Sequence, residues 1–243
     1  MCRNLIDQDM TKITLVIIAA LLFCFQIHSQ SKSDAIVINF HLEFDKIPLE
    51  LNKKYVSASK DTLIVEAFRC YISNIQILYE DKSFFIQKDS YHLLHSDNFE
   101  SFRIPITKKS DALISKITFN IGIDSITNTS GAMSGDLDPI NGMYWAWQSG
   151  YINMKIEGKS SSCKTRNNEF QFHIGGYLNP YNAMRNVEIA IQKYQISSNG
   201  IDVAIDLGKL FSEIQLKETN SIMIPGEKAM TIADLSTKLF SAK

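Results

Sequence analysis

Apolar side chains recur at every second position along much of the chain. Ile36, Ile38, Phe40, Leu42 and Phe44 share one parity, and Asn39, His41 and Glu43 share the other. That is the period of a strand with one face buried. It returns at Ile117, Phe119, Ile121 and Ile123, at Ile152, Met154 and Ile156, and at Phe170, Phe172 and Ile174. Two later runs, Val187, Ile189 and Ile191, then Ile201, Val203, Ile205 and Leu207, repeat it. Between Phe68 and Tyr79 the parity reverses near Ser73-Asn74, as a residue inserted by a β-bulge would make it do. Asp138-Pro139, Asn141-Gly142, Asn179-Pro180 and Asn199-Gly200 predict turns between the runs. Only residues 229–240 (AMTIADLSTKLF) read as a helix, with Ile232, Leu235 and Leu239 on one side. The expected fold is all-β: a β-sandwich of many short antiparallel strands with long loops and a short C-terminal helix.

The first residues break this pattern. Arg3 and Lys12 precede the apolar run 13–25 (ITLVIIAALLFCF), and a polar exit follows at His28, Ser29, Gln30 and Ser31. The run is shorter than the roughly 20 apolar residues of a membrane-spanning helix, and its flanks are those of a secretory signal. A signal peptide is expected over residues 1–29, with cleavage after Ser29. Lipid attachment at Cys24 would want a small preceding residue, and Phe23 is large. Residues 30–243 are then a single domain in the periplasm or outside the cell, with no membrane span left. A chain of that length buries roughly 70% of its unfolded surface and needs no metal or disulfide to fold. The formal net charge of −1 gives no electrostatic reason to expect nucleic acid. Cys70 and Cys163, beyond the signal segment, are expected to be free thiols.

No G-x-S-x-G, H-E-x-x-H, C-x-x-C or phosphate-cradling glycine loop occurs, so a non-catalytic protein is expected. Residues 136–142 (DLDPING) look like a calcium loop, but the twelfth position from Asp136 is Trp147, where a bidentate Glu is required. Two segments stand out. In residues 137–151 (LDPINGMYWAWQSGY) an extended chain places Met143, Trp145 and Trp147 on one face and Tyr144 on the other. A thioether beside two indoles is either a soft, electron-rich surface or a core-filling cluster. In residues 170–177 (FQFHIGGY) the core parity falls on Phe170, Phe172 and Ile174, so His173 faces away with Gln171. It reads as a ligand or as a solvated strand histidine. His92 and His95 have a ligand-like separation, but YHLLH (91–95) is expected to lie between strands. Imidazole, thioether and aromatic neighbours together suit copper. Alternatively, Trp145, Trp147, Tyr151 and Tyr177 form an aromatic platform for carbohydrate or peptide, with no metal. A third reading is a structural subunit of an envelope complex.

Residues 137–158 (LDPINGMYWAWQSGYINMKIEG) and 172–185 (FHIGGYLNPYNAMR) closely resemble the methanobactin-associated copper-binding, or MbnP-like, protein family, in its Bacteroidetes-type branch. Further echoes lie at 68–78 (FRCYISNIQIL), 91–94 (YHLL), 122–139 (GIDSITNTSGAMSGDLDP) and 221–234 (SIMIPGEKAMTIAD). The resemblance implies an exported β-rich fold and, for characterised relatives, a single copper ion. Some methanotroph relatives hold it with histidines beside a tryptophan oxidised to kynurenine. Carried over by position, His173 is the downstream histidine, Trp145 or Trp147 the aromatic, and Met143 a soft axial group. Methanotroph members place the first histidine close to the oxidised tryptophan, whereas here Trp147 holds the Trp-x-His position after Trp145. His92 or His41 would have to substitute. The implied function is acquisition or buffering of one copper ion, as Cu(I), without turnover, alongside an envelope transport or redox partner.

Overall fold

Nearly every alternating run becomes a strand in the computed structural model, which describes residues 35–107, 112–147, 150–197 and 200–243. The expected signal segment, its cleavage point and Cys24 lie outside the described residues, as does Asn199 of the last expected turn. The longer strands are β1 (Ala35–Phe44), β2 (Thr62–Tyr79), β3 (Tyr91–His95), β4 (Arg103–Thr107), β5 (Ile114–Ile121), β6 (Gly150–Ser160), β7 (Glu169–Gly175), β8 (Arg185–Ala190) and β9 (Gly200–Asp206). Among the described residues three α-helices join them: α1 (Ser125–Thr129), α2 (Leu207–Glu213) and α3 (Glu227–Ser236).

A smaller sheet is built on β1, with β9 and β4 as its neighbours and Phe240–Ala242 added beside β9. A larger sheet runs β8, β5, β2, β6, β7, with β3 pairing on β2 and Ser221–Ile222 added on β7. The long β2 divides its main pairings along its length, with β6 over Leu63–Cys70 and β5 over Ile72–Tyr79. Within the β5 pairing the register shifts between Ser73 and Gln76, and Asn74 takes φ 50°. This is the bulge that the parity reversal predicts.

The core fills the space between the sheets. Ile38 and Phe40 of β1, and Val203 and Ile205 of β9, meet Phe68, Ile77, Phe119, Ile156 and Phe172 of the larger sheet. Phe40 packs edge-to-face on Phe119 at 5.7 Å, and Phe240 closes on both. Each such side chain contributes about 1.5–3 kcal/mol by burial. Cys70 and Cys163 are buried free thiols, as expected.

The structure departs from the expectation where local pattern meets tertiary context. β1 and β9 pair in parallel, Ile38 opposite Ile201, although antiparallel strands were the expectation. Leu207 opens α2 instead of ending a strand, because the Asp206 side chain caps the helix by accepting from Gly208 N. Residues 91–95 are themselves a strand. Glu43, read as solvent-facing, is 3% exposed and ion-paired with Lys243. The register also shifts between Ile152 and Met154. Ile152 therefore leaves the inter-sheet core that Met154 and Ile156 occupy. The expected C-terminal helix is α3, followed by a 3-10 turn over Thr237–Leu239. No helix among the described residues is long and apolar enough to cross a membrane.

Candidate functional site

The outer face of the larger sheet carries a second apolar cluster. Tyr71, Leu93, Ile123 and Ile152 come from the sheet and its margin, and Leu137, Met143, Trp145 and Tyr151 complete it. Residues 122–145 form a strap over this face, and polar anchors hold it down. Asp124 caps α1 by accepting from Thr127 N and also accepts from Tyr91 Oη at 2.6 Å. Burial pushes the Asp124 carboxyl up, but the bonds from Tyr91 and from Thr127 and Ile126 prevail and hold it below its ordinary value. Asn128 donates to Ile123 O and accepts from Tyr151 N at 2.8 Å. Asp136, the first residue of the calcium-like stretch, accepts from Leu93 N at 2.9 Å, and its carbonyl accepts from Tyr71 Oη at 2.8 Å. The motif at 122–139 is accordingly a structural clamp.

The expected Met143-Trp145-Trp147 stripe splits. Only Tyr144–Trp145 is extended, pairing with Gly150 and Tyr151 of β6. Met143 and Trp145 are 0% and 6% exposed, whereas Trp147 sits in a turn at 64%. The two indoles still touch, with ring centroids 5.6 Å apart. Trp145 lies on Gly175, where a Cβ would come within 2.7 Å of its six-membered ring. Gly175 is therefore required as a bare surface for the indole.

His173 is two residues before Gly175 on β7 and shares the outer face. It lies off the inter-sheet core, as its parity predicts, yet it is not solvated: it is 7% exposed. Its Nε2 lies 2.7 Å from Glu157 Oε1. That hydrogen bond is the main influence holding the Glu157 carboxyl below its ordinary value, so the group is an ionised acceptor. Nε2 therefore carries a proton, and in the neutral imidazole the lone pair is on Nδ1. Nδ1 has no hydrogen-bond partner among the described residues. Lys155 lies opposite His173 and 3.3 Å from Glu157.

The other histidines do not join it. His92 is opposite Ile72, a core residue, so it faces the other side of the sheet, with Nε2 3.1 Å from Gln87 Oε1. Burial lowers its pKa. His41 belongs to the smaller sheet and bonds Asp202 Oδ1 at 2.8 Å. His95 does share the face of His173, in one cross-strand row with Arg69 and Lys155 between them. Three strand spacings separate the two histidines, about 14 Å. Burial, then the Arg69 guanidinium, lowers the His95 pKa. Among the described residues there is no group of three or more His, Cys, Asp or Glu side chains placed to hold a metal ion. The structure thus brings neither His92 nor His41 to His173, whose ring is held instead by the Glu157 carboxylate. Glu157, Lys155 and Arg69 were missed because their place beside His173 depends on strand register, which local periodicity does not specify.

No curated protein matches the chain. Among solved structures, MbnP from Methylosinus trichosporium is similar, with a TM-score of 0.60 and 13% identity over 81% of this chain and 83% of that one. At that identity the likeness shows the fold. The family model described as MbnP matches residues 33–224, a span that takes in β1 to β9, the strap and His173. The chain belongs to the MbnP family.

Proposed function

We propose that the protein is an exported, copper-related member of its family that holds a single copper ion without turnover, for acquisition or buffering. The observation that carries this is the geometry of His173. A histidine whose one ring nitrogen donates to a carboxylate, leaving the other free, has the arrangement typical of metal-binding imidazoles. Nδ1 of His173 is the ligand atom in this reading. Met143 and Trp145, on the same face, supply soft and aromatic surroundings. Because His92 and His41 lie elsewhere, the ion has one histidine from the described residues, and affinity is lower than a two-histidine site would give. Glu157 balances part of the positive charge of Lys155 and Arg69, which otherwise opposes a cation at this face.

Export follows from residues 1–29 and places the mature chain in the periplasm or outside the cell, where an envelope transport or redox protein is the natural partner. Intact mass of protein recovered from the envelope tests this part. A start near Gln30 supports it, and a diacylglyceryl adduct on Cys24 contradicts it. Metal analysis of the mature protein after copper loading tests the rest.

A second reading rests on Trp147, whose indole is 64% exposed. A stacking platform for carbohydrate or peptide uses such a ring, but Trp145 and Tyr151, at 6% and 1% exposure, are not open to a ligand. One exposed indole is a poorer platform than the four aromatics the sequence offers.

A further inference from the structure

The smaller sheet contains a cleft that the copper reading does not use. β1 pairs with β4 only as far as Asn39, and with the short strand Ile47–Pro48 only from Glu43. Residues 40–42 lie between these two pairings. A cleft of about 880 Å³ opens there, within the size range of small-molecule sites. Phe40, Leu42, Leu49, Leu51 and Phe102 form its apolar wall. His41, Glu43, Asp202 and Lys243 form its polar side.

Glu43 is the informative group. It is 3% exposed, and a buried carboxylate is costly unless a cation or several donors meet it. Among the described residues its ion-pair partner is Nζ of Lys243. Lys243 is tethered through its backbone N to Asp202 O at 3.0 Å, yet its side chain remains 41% exposed. An ammonium reaching in from solvent thus fills the one cation position that Glu43 requires. The neighbouring carboxylate is already engaged, since Asp202 Oδ1 bonds both His41 and Asn39.

We propose that this cleft binds a small primary amine with an apolar body, an alkyl- or aralkylammonium. Its charged end exchanges with Lys243 at Glu43, and its body lies along Phe40, Leu42 and Phe102. Lys243 is then an internal competitor that keeps Glu43 satisfied when the cleft is empty. The chemistry is recognition of a cation by a buried carboxylate beside an apolar wall, and no covalent step is involved.

The test is a titration of the full chain with 2-phenylethylamine, followed by chemical-shift changes in amide NMR spectra. 3-Phenylpropionate serves as the anionic counterpart of similar size. The expected result is saturable binding of the amine with shifts centred on residues 39–43 and 202–204, and none for the acid. Lys243→Ala should bind on the order of tenfold more tightly, because the competing conformation is removed. Glu43→Gln should lose the preference for amine, provided its thermal melt matches wild type; Lys243→Ala carries the test if it does not. The proposal is overturned if neither wild type nor Lys243→Ala shows saturable shifts in the cleft, or if the acid binds as tightly as the amine.

Discussion

His173 Nε2 stands 2.7 Å from Glu157 Oε1, on neighbouring strands whose register sets Lys155, not Glu157, directly opposite the histidine. The pair is a diagonal one, and it fixes which imidazole nitrogen is free. Glu157→Gln keeps the shape but can turn its amide either way, so the tautomer is no longer dictated. The expected outcome is a folded variant in which the Nδ1 and Nε2 protonated forms of His173 are both populated. Nitrogen chemical shifts of the labelled imidazole check it. A single Nε2-protonated form in the variant would contradict it.

Gly175 supplies the surface on which Trp145 rests. Gly175→Ala puts a methyl group 2.7 Å from the indole, and overpacking of this kind costs about 1–3 kcal/mol. The melting temperature should fall and tryptophan emission should shift as Trp145 is displaced. An unchanged melt and spectrum would show that the indole does not depend on this contact.

The strap should be acid-sensitive through Asp124. Its carboxyl is held below its ordinary value in the fold. Its contribution to stability is therefore fully present above about pH 4 and is lost as pH falls through the lower folded-state value. Asp124→Ala removes the cap of α1 and the partner of Tyr91, and should cost about 1 kcal/mol at neutral pH. The gap between variant and wild type should narrow in acid. Urea unfolding at neutral pH and at pH well below 4 measures this; a gap that widens in acid would contradict the assignment.

Cys70 and Cys163 should resist alkylation in the folded protein, because burial pushes both thiols up, Cys163 to about 11. Peptide mapping after labelling in denaturant without reductant should find both modified. Failure to label there would mean that they are paired after all.

Most of the architecture was legible in the sequence because sheet faces repeat at every second residue and bulges reverse that parity, as at Ser73-Asn74. What escaped depends on long-range pairing. The parallel match of Ile38 with Ile201, the burial of Glu43 by Lys243 some 200 residues away, and the shift that moves Ile152 to the outer cluster all need a partner strand to be known. The same holds at the site. Parity gave the face of His173, and the family pattern drew attention to Met143 and Trp145. That His92 faces the opposite side follows only from its register with Ile72.

The placement of His92 and His41 makes a clear contrast with His173. His92→Ala and His41→Ala remove side chains on the other face of the larger sheet and in the other sheet, so copper affinity should not change in either. A loss in one of them equal to that of His173→Ala would relocate the site.

The most direct test of the central claim is a competition titration of Cu(I) between a chromogenic chelator and the mature protein, run on wild type and His173→Ala. One copper ion is expected per wild-type chain. The expected loss of affinity in His173→Ala is at least the roughly 10–100-fold seen when only a ligand's supporting groups are removed, measured on a variant whose circular dichroism spectrum matches that of wild type. Retention of no copper by wild type, or equal binding by His173→Ala, would contradict it.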